Sequence, residues 1–227
     1  MRSSVSLVLF DLDGTLVDSQ HAVVMAMTEA WRAHGLGDPP QDQVRRVIGL
    51  SLKAAIAALL PDGAPVAPER VADSFRQAFL QLRQQSDHIE PLYPGATVAL
   101  DALETAGRLL GIASGKSRRG VIATLAQHGL TERFATLKSA DDGPGKPAPD
   151  MVVQAMAEVG AGPRHTAVVG DTVFDMQMAM GAGVQAIGVA WGYHRADELR
   201  AAGARRVVHS FAELPAAVAA TTPGPRR

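Results

Sequence analysis

Short apolar runs that end abruptly on polar or glycine residues are the feature that most limits what this chain can become. Val5–Phe10 stops at Asp11, Leu109–Ala113 at Ser114, Thr166–Val169 at Gly170 and Asp171, and Ala186–Ala190 near Trp191 and Gly192. Arg206–Val208 is a weaker last run. Rich in Val, Leu and Ile and without polar alternation, these runs predict strands buried on both faces. Helical stretches lie between them. Gly120–His128 ends at Gly129, Pro149–Val159 at Gly160 and Thr172–Ala182 at Gly183, and a glycine just past a helix is a favourable stop. Strand and helix in alternation build a parallel sheet with helices on both sides. Such sheets bind ligands beyond the carboxyl ends of their strands, so the residues where the runs stop are the candidates for function.

One stretch breaks the alternation. Between about Ser19 and Glu90 no strand is expected. Gln20–His34, Pro40–Val47, Leu52–Leu60 and Pro68–Ser86 read as helices separated by Gly and Pro, and Pro91, Pro94 and Gly95 close the segment. The expected organisation is α/β: a Rossmann-like parallel-sheet core from residues 1–18 and 92–227, with 19–91 inserted as a small α-helical domain. A chain of 227 residues, 47% of them hydrophobic, is large enough for a core domain plus such an insert. The tail, Thr221–Arg227, is rich in Pro, Gly and Arg and is expected to be disordered. A formal net charge of -1 gives no global attraction to nucleic acid or an acidic membrane surface. With no cysteine, disulfides, thiolate metal sites and cysteine nucleophiles are excluded. The first apolar run is too short for a signal sequence, and no run is long enough to span a bilayer. A soluble cytoplasmic protein, monomer or homodimer, is expected.

Asp11-Leu12-Asp13-Gly14-Thr15 follows the first run directly. Residues two apart on extended chain face the same side, so Asp11 and Asp13 would point together, and Gly14 permits a sharp turn. A turn with capping aspartates accounts for one Asp after a strand, and less well for this pair. Gly170-Asp171-Thr172-Val173-Phe174-Asp175 follows another run, and the i, i+4 spacing puts Asp171 and Asp175 on one face. Alone they read as a helix cap and a first-turn acid. Beside Asp11 and Asp13 they make four carboxylates at one sheet edge, which repel unless a cation intervenes. Oxygen-only ligands favour a hard ion such as Mg²⁺. Ser114, with Gly115, Lys116 and Ser117, either caps the next helix or offers a hydroxyl and free N–H groups to a phosphate; the two roles are compatible. Gly145-Lys146-Pro147-Ala148-Pro149-Asp150 holds a lysine before two prolines that stiffen the loop and fix where it points. Such an ammonium would neutralise Asp11 and a phosphate oxygen, or is simply solvated. Of the seven histidines, His194 stands just past a strand end at the rim of the site, and the others read as surface or packing residues. P-loop and dinucleotide-binding glycine patterns are absent.

Taken in order, these elements resemble the haloacid dehalogenase superfamily of phosphatases over most of the chain. Asp11-Leu12-Asp13-Gly14-Thr15 resembles its first motif, Ser114 its second, Lys146 its third, and Gly170-Asp171 with Asp175 its fourth. The helical insert is similar to the small cap of the phosphoglycolate phosphatase-like branch, as is the stretch Trp191-Gly192-Tyr193-His194 through Ala202-Gly203-Ala204. The resemblance implies a magnesium-dependent hydrolase of phosphoric monoesters. Asp11 is then the nucleophile that becomes an aspartyl-phosphate, and Asp13 the acid/base for both half-reactions. Mg²⁺ is held by the Asp11 carboxylate, the Asp13 main-chain oxygen and the Asp171 carboxylate, with Asp175 supporting its waters. Ser114, Lys146 and Mg²⁺ stabilise charge on the transferring oxygens. Gly14, Thr15, Gly115 and Lys116 are assigned to the substrate. Arg45, Arg46 and the turn Ile48-Gly49-Leu50-Ser51, followed by Lys53, resemble the family's specificity loop. Arg45 or Lys53 would there read a second anionic group, unless they are solvated charges.

Other readings stay open on the motifs. A dehalogenase on this fold lacks the second Asp, so Asp13 argues against one. A sugar-phosphate mutase shares all four motifs, and a pyrophosphatase uses the same fold. A binding module is disfavoured because nucleophile, acid/base and metal positions are all filled. The expected substrate is a small phosphorylated metabolite of the phosphoglycolate type.

Overall fold

The computed structural model describes residues 5–85 and 90–221. In chain order, β1 (Val5–Phe10) is followed by four helices, α1 (Gln20–Ala33), α2 (Gln41–Val47), α3 (Leu52–Leu59) and α4 (Pro68–Arg83). Then come α5 (Ala96–Thr105), β2 (Leu109–Ala113), α6 (Arg118–Gln127), β3 (Phe134–Lys138) and α7 (Asp150–Val159). The chain closes with β4 (Ala161–Gly170), α8 (Val173–Gly181), β5 (Gln185–Val189), α9 (Ala196–Ala201), β6 (Arg206–Val208) and α10 (Leu214–Thr221). Thr221 ends α10, and the rest of the tail lies outside the described residues, as do Ser86 and His88.

The strands form one six-stranded parallel sheet in the order β3-β2-β1-β4-β5-β6. Successive side chains of a strand point to opposite faces, and β1 shows it: Val8 and Phe10 pack into one core cluster, Leu7 and Leu9 into the other. The first cluster takes in Leu100 and Leu103 of α5, Val121 and Leu125 of α6 and Val218 of α10. The second takes in Met151, Val152 and Ala155 of α7 and Met176 and Ala179 of α8. Each fully buried Val, Leu, Phe or Met among these contributes about 1.5–3 kcal/mol of transfer free energy. β3 has no counterpart among the apolar runs. It is an edge strand, and Phe-Ala-Thr-Leu-Lys alternates buried and exposed where a central strand would be apolar throughout.

The helices α1 to α4 bury a third cluster of their own: Val24, Met27, Ala30, Trp31, Val44, Ile56, Val71 and Ala72. The two chain crossings to this segment run side by side. Val17 bridges Leu92 antiparallel, the Asp18 N–H donates to the Pro91 carbonyl at 2.8 Å, and the Tyr93 N–H donates to Leu16 at 3.0 Å. No helix among the described residues is long and apolar enough to cross a membrane.

Strand order reverses about β1. Its neighbours β2 and β4 lie on opposite sides of it, and the crevice beyond the carboxyl ends of the strands there is where an open α/β sheet binds ligands. Asp11, Ser114 and Asp171 are the first residues past these three strands.

Candidate active site

Each acidic residue is placed by the end of a strand. Asp11 is still tied to the sheet, its N–H donating to the Val169 carbonyl at 3.0 Å. Its carboxylate accepts the Leu12 N–H at 2.7 Å and lies 2.7 Å from the Lys146 ammonium. Lys146 also reaches Asp175, at 2.6 Å, and both side chains are fully buried. The Asp11, Asp171 and Asp175 carboxylates each place an oxygen within 4.8 Å of the other two. Burial pushes Asp11 up to about 7 despite the pull of Lys146, and Asp175 and Asp13 add to the rise. Asp171 is raised well above the carboxylate range by burial and by the charges of Asp175 and Asp11. Carboxylates packed this closely, with one ammonium between them, are short of positive charge. Three buried oxygen donors fit a hard divalent cation, so Asp11, Asp171 and Asp175 can hold such an ion.

Asp13 is set apart from this trio. Its carboxylate accepts a short hydrogen bond from the Ser19 hydroxyl and pairs with the Lys116 ammonium. Burial alone would raise it, but Lys116 and then Ser19 outweigh that and hold it below the usual range. Its side chain is thus turned to Ser19 and Lys116 and is not one of the three clustered carboxylates.

Several expected substrate contacts fall elsewhere. The Thr15 hydroxyl, fully buried, donates to Asp171 at 2.8 Å; it orients a metal-ligand candidate instead of facing a substrate. Gly14, at φ 80, lies against Asp171 and Tyr193, where any side chain would collide. Lys53 points into solvent with its side chain 66% exposed and pairs with Glu69 at 2.5 Å. Arg45 pairs with Asp42 at 2.7 Å and lines a separate cavity of about 510 Å³ between Asp18, Thr28, Arg32 and Gln41. Lys53 is turned to solvent, whereas Arg45 is half-buried beside that cavity, whose lining includes none of Asp11, Asp13, Ser114 and Asp171. Ser114 is buried, its Oγ accepting the Lys116 N–H at 3.3 Å. The cap of α6 is Ser117, whose Oγ accepts from Gly120, so Ser114 is not the helix cap. Asp171 is likewise not the cap of α8: Thr172 is, in a capping box closed by Asp175.

The turn carrying Gly49 lies on the core loops. A Cβ at Gly115 would come within 2.5 Å of the Gly49 and Leu50 carbonyl oxygens, and one at Gly145 within 3.5 Å of Ser51. Thus the loops after β2 and before α7 meet the same turn. His194 locks the contact. Its Nδ1 accepts the Val173 N–H at 3.1 Å, so Nε2 carries the proton and donates to the Arg46 carbonyl at 3.0 Å. Arg46 pairs with Glu198 at 2.7 Å across the same seam. His194 is thus buried in the seam, not on a rim.

Ser19, Thr172 and Tyr193 carry structural roles at the site that the motifs did not assign. The Tyr193 N–H donates to Asp171 at 2.9 Å and its hydroxyl lies 3.3 Å from Ser19. Their contacts span 174 residues for Ser19–Tyr193 and 22 for Tyr193–Asp171, distances over which local spacing carries no signal.

The sequence matches the family model described as haloacid dehalogenase-like hydrolase over residues 8–189. A probable phosphatase, IndB, of Dickeya dadantii is 38% identical over 211 residues, covering 92% of this chain and 91% of that one. A phosphoglycolate phosphatase of Vibrio vulnificus is 30% identical over 218 residues, covering 94% and 96%. The crystal structure of a hydrolase from Pseudomonas syringae superposes with a TM-score of 0.82 at 28% identity, covering 96% of this chain and all of that one. With the motif residues gathered at one sheet edge and this match over most of its length, the chain belongs to the haloacid dehalogenase-like hydrolases.

Proposed function

We propose that the chain is a Mg²⁺-dependent hydrolase of phosphoric monoesters that acts on a small phosphorylated metabolite through an aspartyl-phosphate on Asp11. Residues 19–91 serve as its cap. The observation that carries this is the difference between the buried carboxylates: Asp11, Asp171 and Asp175 cluster beside Lys146, while Asp13 is held apart by Ser19 and Lys116. Phosphatase names among full-length relatives support the same reading.

Mg²⁺ bound by Asp11, Asp171, the Asp13 main-chain oxygen and the support of Asp175 would neutralise charge on the transferring phosphoryl group. The Asp11 carboxylate oxygen attacks phosphorus as the bond to the leaving alcohol oxygen breaks. Asp13, which Lys116 and Ser19 otherwise hold ionised, takes up a proton as the substrate enters and gives it to that oxygen. Water then attacks the aspartyl-phosphate, Asp13 takes the proton back, and the phosphorus–Asp11 bond breaks to free phosphate. Lys146, fixed between Asp11 and Asp175, offsets charge on Asp11 and a phosphoryl oxygen. Ser114 and the N–H groups after it orient the phosphoryl group. The Ile48–Ser51 turn, seated on the core loops, keeps bulk water out.

The test is phosphate release from a panel of phosphorylated metabolites, with Mg²⁺ and with chelator, for the wild type, Asp11→Asn and Asp13→Asn. Turnover should need the metal, vanish in Asp11→Asn, and fall roughly 10²–10⁴-fold in Asp13→Asn. Near-normal turnover by Asp11→Asn would overturn the covalent route.

A further inference from the structure

The loop between β5 and α9 grips the turn that follows β1. The Trp191 indole N–H donates to the Thr15 carbonyl at 3.1 Å, and the Tyr193 N–H donates to the Asp171 carboxylate at 2.9 Å. The Tyr193 ring packs on Gly14, where an added Cβ would come within 2.5 Å of it. These contacts hold the turn and orient Asp171. The Tyr193 hydroxyl does something else. It lies 3.3 Å from the Ser19 hydroxyl, which in turn bonds the Asp13 carboxylate. Asp13 is the group that meets the leaving oxygen in the reaction proposed above, and nothing in that reaction has yet called on Tyr193.

We propose that Tyr193 is a positioning residue for the acid/base step, acting on Asp13 through Ser19. This deepens the phosphatase reading and rests on it. Chemistry fixes the direction of the protons. An ionised Asp13 can only accept, so Ser19 donates to it, and the Ser19 oxygen is left to accept from Tyr193. The Tyr193 phenol keeps the proton it donates, because burial and the charges of Asp13 and Asp171 push it up. Ser19 and Lys116 both meet the same Asp13 oxygen, Oδ1. Pinning that oxygen fixes the plane of the carboxylate and makes Oδ2 the atom that carries the proton to the leaving group. Ser19 is fully buried, so bulk water does not stand in for Tyr193. Without the phenol, the Ser19 hydroxyl turns to whichever acceptor suits it. Asp13 is then held by an ammonium on a flexible four-carbon stem, which fixes its plane poorly.

The experiment compares kcat/KM for ethyl, trifluoroethyl and p-nitrophenyl phosphate in the wild type, Tyr193→Phe, Ser19→Ala, the double variant and Asp13→Asn. These esters differ in how much the leaving oxygen needs a proton: ethanol most, trifluoroethanol less, and p-nitrophenolate departs without one. The ratio kcat/KM reads only the steps up to departure of the alcohol, so the later attack of water does not enter. Tyr193→Phe keeps the ring on Gly14 and the N–H on Asp171. It should lower kcat/KM for ethyl phosphate by about 10-fold more than for p-nitrophenyl phosphate, the worth of one hydrogen bond, with trifluoroethyl phosphate between them. Ser19→Ala should show the same graded loss, and the double variant no more than Ser19→Ala alone, because the two residues act in series. Asp13→Asn should show it in larger form. Equal losses on the three esters in Tyr193→Phe, or no loss, overturn the proposal. So do losses that multiply in the double variant. A Tyr193→Phe protein that does not fold also overturns it, since the hydroxyl then serves the fold. If the wild type hydrolyses none of the esters, the phosphatase reading itself fails and takes this one with it.

Discussion

Lys146→Met removes an ammonium from between two buried carboxylates while roughly keeping the volume of the side chain. Asp11 and Asp175 are then left facing each other, with Asp171 near both. Breaking a buried ion pair by removing one partner costs about 3–5 kcal/mol. In a domain of this size each kcal/mol lowers Tm by about 2–4 °C, so the variant should melt roughly 6–20 °C below the wild type in chelator at pH 8. The pH dependence is part of the expectation. Asp11 holds its proton more tightly folded than unfolded, with a value of about 7 against 3.8. Its contribution to stability is therefore present at low pH and fades as pH rises toward 7. Without Lys146 the carboxyl group takes up its proton more readily still, so the variant's deficit should shrink at pH 5.5. Saturating Mg²⁺ should recover part of the loss at pH 8, because a cation bound by the folded state adds stability. The assay is thermal unfolding by circular dichroism at both pH values, with and without metal. A deficit under about 2 °C at pH 8, or one equal at both pH values, would refute the view of Lys146 as a buried counter-ion.

Asp11→Asn should behave in the opposite way in the same assay. It removes a carboxylate that burial disfavours, and Lys146 keeps Asp175, so Tm in chelator at pH 8 should not fall although phosphate release does. Gly115→Ala should lower Tm and also lower kcat/KM by about 10²-fold, because the new methyl meets the Gly49 and Leu50 backbone carbonyls and forces the turn away from the core loops; thermal unfolding and steady-state kinetics with a small ester would show it. Lys53→Ala should change neither kcat/KM nor Tm measurably, since an exposed pair with Glu69 is screened by water; a selective loss on an anionic ester would return Lys53 to the specificity loop.

The strand ends were legible in the sequence because a parallel sheet buried on both faces must be built from unbroken apolar runs. Val5–Phe10, Leu109–Ala113 and Ala186–Ala190 therefore announce themselves, and so do the polar residues where they stop. Binding beyond strand ends is a rule of such sheets, so Asp11, Asp13, Ser114 and Asp171 could be picked out before any fold was seen. The glycine- and proline-bounded helices α1 to α4 were equally visible, because their segment lacks any strand pattern. What stayed hidden follows from geometry. β3 is an edge strand and alternates like a surface element, so it carries no apolar run. Cationic side chains on the inserted helices look alike in sequence, yet Lys53 faces solvent and Arg45 faces Asp42. Only the packing of Trp31, Val44 and Ile56 inside the helical segment decides which way they turn. The roles of Ser19, Tyr193 and His194 come from contacts between residues far apart in the chain. Hydrophobic periodicity is a local signal and fixes elements; the choice of which hydroxyl meets Asp13 and which ammonium pairs with it is made when distant loops close on one another.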